Sequence, residues 1–552
     1  MAARTSSVER GALAESASAT ARVRNYVEQW RVRFAGTDWV PWLILALAAF
    51  LRFFLLGIKP PHFDEGINGW FVDQVMKNGF YRYDPTNYHG PLHFYVLLLF
   101  ESLFGRNVWA LRLPVVLVSI ACVWLALKFE PLVGRNVSRI AALAMAVSPG
   151  FVFYGRYAIH EVWLQFFSMM FILGLLGLWR RGTLTYLWYA GVGLTGMILT
   201  KETYAIHVAC ALLAIPTLAV SYALSRVPDA KPAKQTWSWI DLAMIVIVGG
   251  FAIVFFYSGT FFNWSGVKGL YLAFKAWTET GAAGHGHEKA WDYWFKLIGP
   301  SWETGGENFT GYELPMLAGL ILCLWCQKLK DLTLRYLAIY GVGSLVAYSY
   351  VKYKTPWCVI SFGWPFLFIL GAWVLLVRPK NLRKVYAAIG ILLCISFGRS
   401  IWLNYFRCSS PTEPYAYVQT YNDMFKLTKP LLTLAKRDPS NYHLTGHLIR
   451  SSVYPLPWVL GDFDRVGYYE GGNMPANLDG DFLLVQQDKI KDIESKLKST
   501  YYTEMMTLRN YQEPSKIFFS ANVFKDLFPG RKPDFVGGAQ KPAPTPAPPK
   551  AQ

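Results

Sequence analysis

His62-Phe63-Asp64-Glu65 places an imidazole and two carboxylates in four consecutive residues, a short step beyond an apolar run that ends near Ile58. Adjacent carboxylates at a low-dielectric boundary repel each other, which pushes at least one pKa upward and suits a general base. A second acid, Glu161, ends the run Tyr157-Ala158-Ile159-His160-Glu161, with Arg156 just before it. Left unpaired at the start of an apolar helix, that carboxylate would cost several kcal/mol, so a charge partner or a metal is expected beside it. Lys201-Glu202 directly follows another apolar run, and Lys352 and Lys354 precede a third. Each lysine alone reads as an interfacial side chain that reaches toward water. Taken together, these bases can hold a phosphate while a carboxylate removes a hydroxyl proton. The chemistry expected is a reaction between an anionic lipid head group and a hydroxyl acceptor.

The elements that must position these groups follow from composition. The chain has 552 residues, 53% hydrophobic and only 16% charged, with a mean hydropathy of +0.24. Its apolar residues fall into runs of about twenty, the length that crosses a hydrocarbon core of roughly 30 Å. This excludes a soluble globule, a disordered chain and a disulfide scaffold. Spans are expected near 39–58, 108–129, 137–154, 158–179, 184–200, 203–224, 238–258, 313–327, 333–350, 357–377 and 384–403, about eleven helices. The seven cysteines lie mostly inside these runs, and Cys323 and Cys326 read as packing rather than redox chemistry.

The net charge is +18, which nucleic-acid binding would explain, but the placement of the charges gives a simpler account. With the N-terminus in the cytoplasm, the inner loops carry Arg135 and Arg139; Arg180 and Arg181; Arg226, Lys231 and Lys234; Lys328, Lys330 and Arg335; and Arg378, Lys380, Arg383 and Lys384. Every one is short and basic, the pattern of retained cytoplasmic loops in an inner or plasma membrane protein. No nucleic-acid partner is expected. Residues 1–38 then form a cytoplasmic arm, 39–403 a transmembrane domain with outer loops 59–107 and 259–312, and 404–536 an extracytoplasmic α/β domain. Residues 537–552, rich in Pro and Ala, read as a disordered tail. In this threading the acids and bases named above all stand on the outer face. A site facing away from cytosolic nucleotide sugars calls for a lipid-carried donor.

These residues carry a resemblance. His62-Phe63-Asp64-Glu65 followed by Gly69, Ala110-Leu111-Arg112-Leu113-Pro114, Glu161, Thr200-Lys201, and Lys354-Thr355-Pro356-Trp357 with Pro365 resemble the protein O-mannosyltransferases and aminoarabinose transferases of glycosyltransferase family 39. Gly286-His287-Glu288-Lys289 and Pro455-Leu456-Pro457-Trp458 resemble more closely a subgroup associated with flippase activity in archaeal-type N-glycosylation. The resemblance implies an α-helical polytopic membrane protein of GT-C type. It implies an inverting transfer from a polyprenyl-phosphate-linked sugar to a protein, lipid or glycan acceptor. Carried over, Asp64 is the base, Glu65 and Glu161 are supporting acids, and Arg112 and Lys201 stabilise the donor phosphate; Arg156, Lys352 and Lys354 are further phosphate candidates. His160, Glu161 and Glu202 could support a divalent cation, Mg or Mn, although no cofactor is required. His62, His285, His287 and Glu288 belong to substrate-covering loops, and His285, His287 and Glu288 also form a conceivable metal set. The rival reading is a lipid-linked glycan flippase or accessory on a non-catalytic scaffold, which would not need the paired carboxylates Asp64 and Glu65.

Overall fold

A computed structural model describes residues 37–538 apart from 88, 226–231, 285, 300, 301, 305, 306, 310, 471, 472 and 511, and leaves out the side chains of 302, 304 and 307–309. The expected arm up to Arg33, His285 and nearly all of the expected tail therefore lie outside the described residues. The chain divides into two units, residues 1–46 and 47–552. Of the first, residues 37–46 are described and contain the opening turns of α1 (Val40–Phe53).

In the second unit, α2 (Phe63–Asn78) and α3 (Leu92–Phe104) form the first loop region. They are followed by α4 (Val108–Lys128), α5 (Arg135–Val147), α6 (Glu161–Arg180), α7 (Leu184–Thr200), α8 (Tyr204–Ser225) and α9 (Trp239–Tyr257). A third loop region holds α10 (Ser265–Ala283) and α11 (Tyr293–Ile298), and the bundle closes with α12 (Leu314–Leu322), α13 (Leu332–Tyr350), α14 (Val359–Leu376) and α15 (Leu382–Ile401). Among the described residues six helical segments are long and apolar enough to cross a bilayer, with four shorter apolar helices beside them. The chain is an integral membrane protein. The segment Pro356–Leu376 is 83% buried in protein and forms the centre of the bundle, whereas Trp239–Tyr257 is only 11% buried and presents its side chains outward. The run expected to span 137–154 as one helix is instead broken at Ser148, where Pro149 starts a new short helix; proline tolerates a first turn and not a helix interior.

The last region carries α16 (Met424–Arg437) and a six-stranded mixed sheet. Its strands are β3 (Gly446–Ile449), β4 (Val466–Tyr468), β5 (Phe482–Gln486), β6 (Thr500–Met506), β7 (Ser515–Ser520) and β8 (Phe535–Val536), numbered after a small hairpin of β1 (Trp302–Thr304) and β2 (Glu307–Phe309). The order is β4-β3-β5-β7-β6-β8, with β3 parallel to both neighbours and the other pairings antiparallel. Strand alternation divides β5 between two cores: Phe482 and Leu484 pack with Leu427 and Leu431 of α16, while Leu483 and Val485 face Ile493 and Leu497 on the other side. The strand-like runs 482–485 and 517–519 are strands. The charged segment 489–498 is helical only over Ile490–Glu494.

This region seats α2. A Cβ on Gly66 would lie 2.3 Å from the Cα of Pro455, and one on Gly69 would lie 2.3 Å from Cδ1 of Trp458. Trp458 donates its indole N–H to Glu101 at 3.1 Å, and Arg106 bridges Asp73 of α2 to Asp462. Gly66→Ala must therefore push backbone against backbone. It is expected to cost about 1–3 kcal/mol or more and to lower the melting temperature of the purified protein, with the loss visible in tryptophan fluorescence.

Candidate functional site

The N-terminus of α2 is built by a reciprocal cap. His62 Nδ1 accepts from the Asp64 amide at 3.1 Å, and the Glu65 carboxylate accepts from the His62 amide at 2.8 Å. His62 Nε2, left as the donor, reaches the Tyr417 carbonyl at 2.9 Å, and the ring stacks on Tyr157 with centroids 5.1 Å apart. Burial lowers the pKa of His62, so the neutral ring that this cap requires is the favoured form.

Consecutive residues on a helix point about 100° apart, and the two carboxylates accordingly part company. Glu65 turns inward and is fully buried against Arg112, with Nε–Oε1 at 2.7 Å and Nη2–Oε2 at 2.6 Å. Burial alone would raise its pKa, but the guanidinium holds it down to about 2. The expected upward push from a neighbouring carboxylate is thus reversed at Glu65 by a closer cation. Arg112 spends its remaining donors on the carbonyls of Leu56, Lys59 and Pro60. Asp64 turns the other way, with a third of its side chain exposed, into a cavity of about 230 Å³.

That cavity gathers groups from six stretches of chain. Asp64 and Asn68 come from α2, His89 from the loop before α3, and His160 and Glu161 from the start of α6. Lys201, Glu202 and Thr203 come from the α7–α8 turn, His287 from the third loop region, and Tyr353 and Trp357 from the approach to α14. Lys201 Nζ lies 2.6 Å from Glu161 and 3.8 Å from Glu202, and Glu202 in turn lies 3.0 Å from His89 Nδ1. Burial would neutralise this lysine, but the two carboxylates raise its pKa well above the usual value and keep it charged. Burial likewise depresses His160, whose ring lies 4.5 Å from that of His89. His287 is positioned by backbone pairing of 287–289 with 352–354, and its Nδ1 lies 2.6 Å from the Tyr417 hydroxyl.

Among the phosphate candidates, only Lys201 lines the cavity. Arg156 caps the carbonyl end of α1 through Leu51, Phe54 and Leu55, where the helix dipole favours a cation. Lys354 bonds the carbonyls of Lys289 and Val351, while Lys352 and Glu288 are exposed. Three carboxylates, Asp64, Glu161 and Glu202, thus face one lysine in the cavity. Among the described residues no three His, Cys, Asp or Glu side chains are grouped as a metal would require. Spacing gave no sign of His89, Asn68, Thr203, Tyr417 or Val418. His89 stands in the loop before α3, beside Gly90-Pro91, and only the fold brings it to Glu202.

Comparison with known proteins bears on the fold. Residues 88–257 match the family described as dolichyl-phosphate-mannose-protein mannosyltransferase. The chain superposes on ArnT from Cupriavidus metallidurans bound to undecaprenyl phosphate with a TM-score of 0.59 and 14% identity, covering 87% of this chain and 98% of that one. The chain has the ArnT fold. The apo ArnT of the same organism superposes with a TM-score of 0.54 at 13% identity, covering 89% of this chain and 98% of the other. A Bacillus subtilis (strain 168) protein named "Putative mannosyltransferase YycA" is 25% identical over 219 residues, or 38% of this chain and 30% of that protein's length. The GT-C architecture that the resemblance implied is therefore the architecture observed. The family match spans residues 88–257 and so includes His89, Glu161 and Lys201.

Proposed function

We propose that this protein is a membrane glycosyltransferase that moves a sugar from a polyprenyl-phosphate carrier to a hydroxyl acceptor on the extracytoplasmic face, with inversion. The convergence of Asp64, Glu161 and Lys201 on one cavity supports this reading above any other observation. In the step proposed, Asp64 removes the acceptor hydroxyl proton as the acceptor oxygen attacks the anomeric carbon. The bond from that carbon to the phosphate oxygen breaks, its electron pair leaves with the polyprenyl phosphate, and Lys201 stabilises the charge that develops there. Glu161 and Glu202 keep the lysine ionised and aimed. The undecaprenyl phosphate bound by ArnT supports a carrier of that chemical class.

The reading is tested by incubating purified protein with a panel of polyprenyl-phosphate sugars, with and without chelator, and measuring released carrier by mass spectrometry. Release with at least one donor is expected, and none across the panel would overturn it. The chelator arm decides whether a divalent cation offsets the carboxylate excess around Lys201. Lys201→Ala is expected to weaken polyprenyl-phosphate binding by about tenfold, checked by equilibrium binding of a fluorescent carrier; unchanged affinity would remove Lys201 from the phosphate site.

A further inference from the structure

A second cavity of about 510 Å³ adjoins the first, lined by Lys289, Asp292, Tyr293, Lys296, Tyr417 and Asn510. It lies where the third loop region, the stretch before α16 and the sheet region meet, and Glu413 stands in its wall. The partition between the two cavities is thin. Val418 lines both, and the Tyr417 that lines the second holds His287 of the first through its hydroxyl and His62, the cap of the helix that carries Asp64, through its carbonyl. Val418 has φ +54°, a left-handed backbone that a β-branched residue adopts only under tertiary constraint, and strain of this kind concentrates at functional sites.

We infer that this second cavity is the acceptor subsite and that it takes a neutral glycan. The inference rests on the glycosyltransferase reading and deepens it. An acceptor must approach Asp64 from a side that the lipid carrier does not fill, and the wall at Val418 is common to the two cavities. The chemistry of the walls selects the class. Lys289 and Lys296 are matched by Asp292 and Glu303, and Glu413 is buried 3.5 Å from Arg407, so no net field favours a charged acceptor, while the walls offer both donors and acceptors to hydroxyls. Tyr293 and Tyr417 supply ring faces for the C–H surface of a sugar, and Lys289 Nζ already sits 5.6 Å from the Tyr417 ring centre. Lys296 is held 2.9 Å from Asp292 with half of its side chain exposed, which marks the open end.

The test measures acceptor kinetics on full-length protein with a donor that the wild type consumes, offering short neutral manno- and gluco-oligosaccharides beside a serine- and threonine-rich peptide. Asn510→Trp, which fills the cavity, and Lys296→Glu, at a half-exposed position where folding is not at risk, are expected to raise the oligosaccharide KM by about tenfold or more. The kcat and the affinity for undecaprenyl phosphate should stay as they are. An unchanged oligosaccharide KM in Lys296→Glu and in folded Asn510→Trp overturns the inference. Transfer to the peptide alone overturns the glycan assignment. A wild type that consumes no donor overturns the underlying reading instead, and is told apart by the absence of any released carrier.

Discussion

Asp64→Asn is expected to reduce sugar transfer by at least about a hundredfold while leaving carrier binding nearly intact, the signature of a lost general base. The amide keeps the shape and the cap geometry of α2, because the bond at this position is made by the Asp64 backbone N–H and not by its side chain. It removes only the ability to accept a proton at the cavity wall. Steady-state release of polyprenyl phosphate, measured beside equilibrium binding of the same carrier, separates the two effects. Wild-type turnover in the variant would show that another group takes the proton.

The second large effect concerns the neighbouring acid, Glu65, through its partner Arg112, and has a different character. Arg112→Ala leaves Glu65 buried without its counter-charge, and breaking such a pair costs on the order of 3–5 kcal/mol. The melting temperature should fall steeply and carrier release should fall with the amount of folded protein, not with kcat per folded molecule. The pH dependence carries a sign. Glu65 has a folded pKa near 2, below its unfolded value of about 4.3, so its contribution is fully present above about pH 5 and is lost as the pH falls toward 2. Melting curves of wild type and Glu65→Gln should therefore converge on acidification and diverge above about pH 5. Parallel curves across that range would mean that the pair contributes nothing to folding.

Much of this was legible in the residues. Runs of apolar length and the short basic loops between them pointed to a polytopic membrane chain, and of the paired acids after the first run Asp64 lines the cavity. The two acids could not be told apart, however. Which of two neighbours on a helix faces a cavity is decided by how the helix docks, and the docking surface of α2, Pro455 to Trp458, lies far away in the chain. Arg112 and Arg156 misled for a related reason. A buried guanidinium can serve a helix end or a carboxylate as readily as a phosphate, and only the partners distinguish these uses. His89 and Val418 acquire meaning only through contacts distant in sequence. Pro149 did carry a legible signal, since a proline in the middle of an apparent span marks a break.

The close seating of Gly66 and Gly69 under the 455–458 turn makes the placing of Asp64 a loan from a remote stretch of sequence. Lesions in that turn would masquerade as defects of the Asp64 cavity, although none of its side chains lines that cavity. A chimera that borrows its sheet region from a relative would stay competent only if the bare helix surface and the turn travelled together.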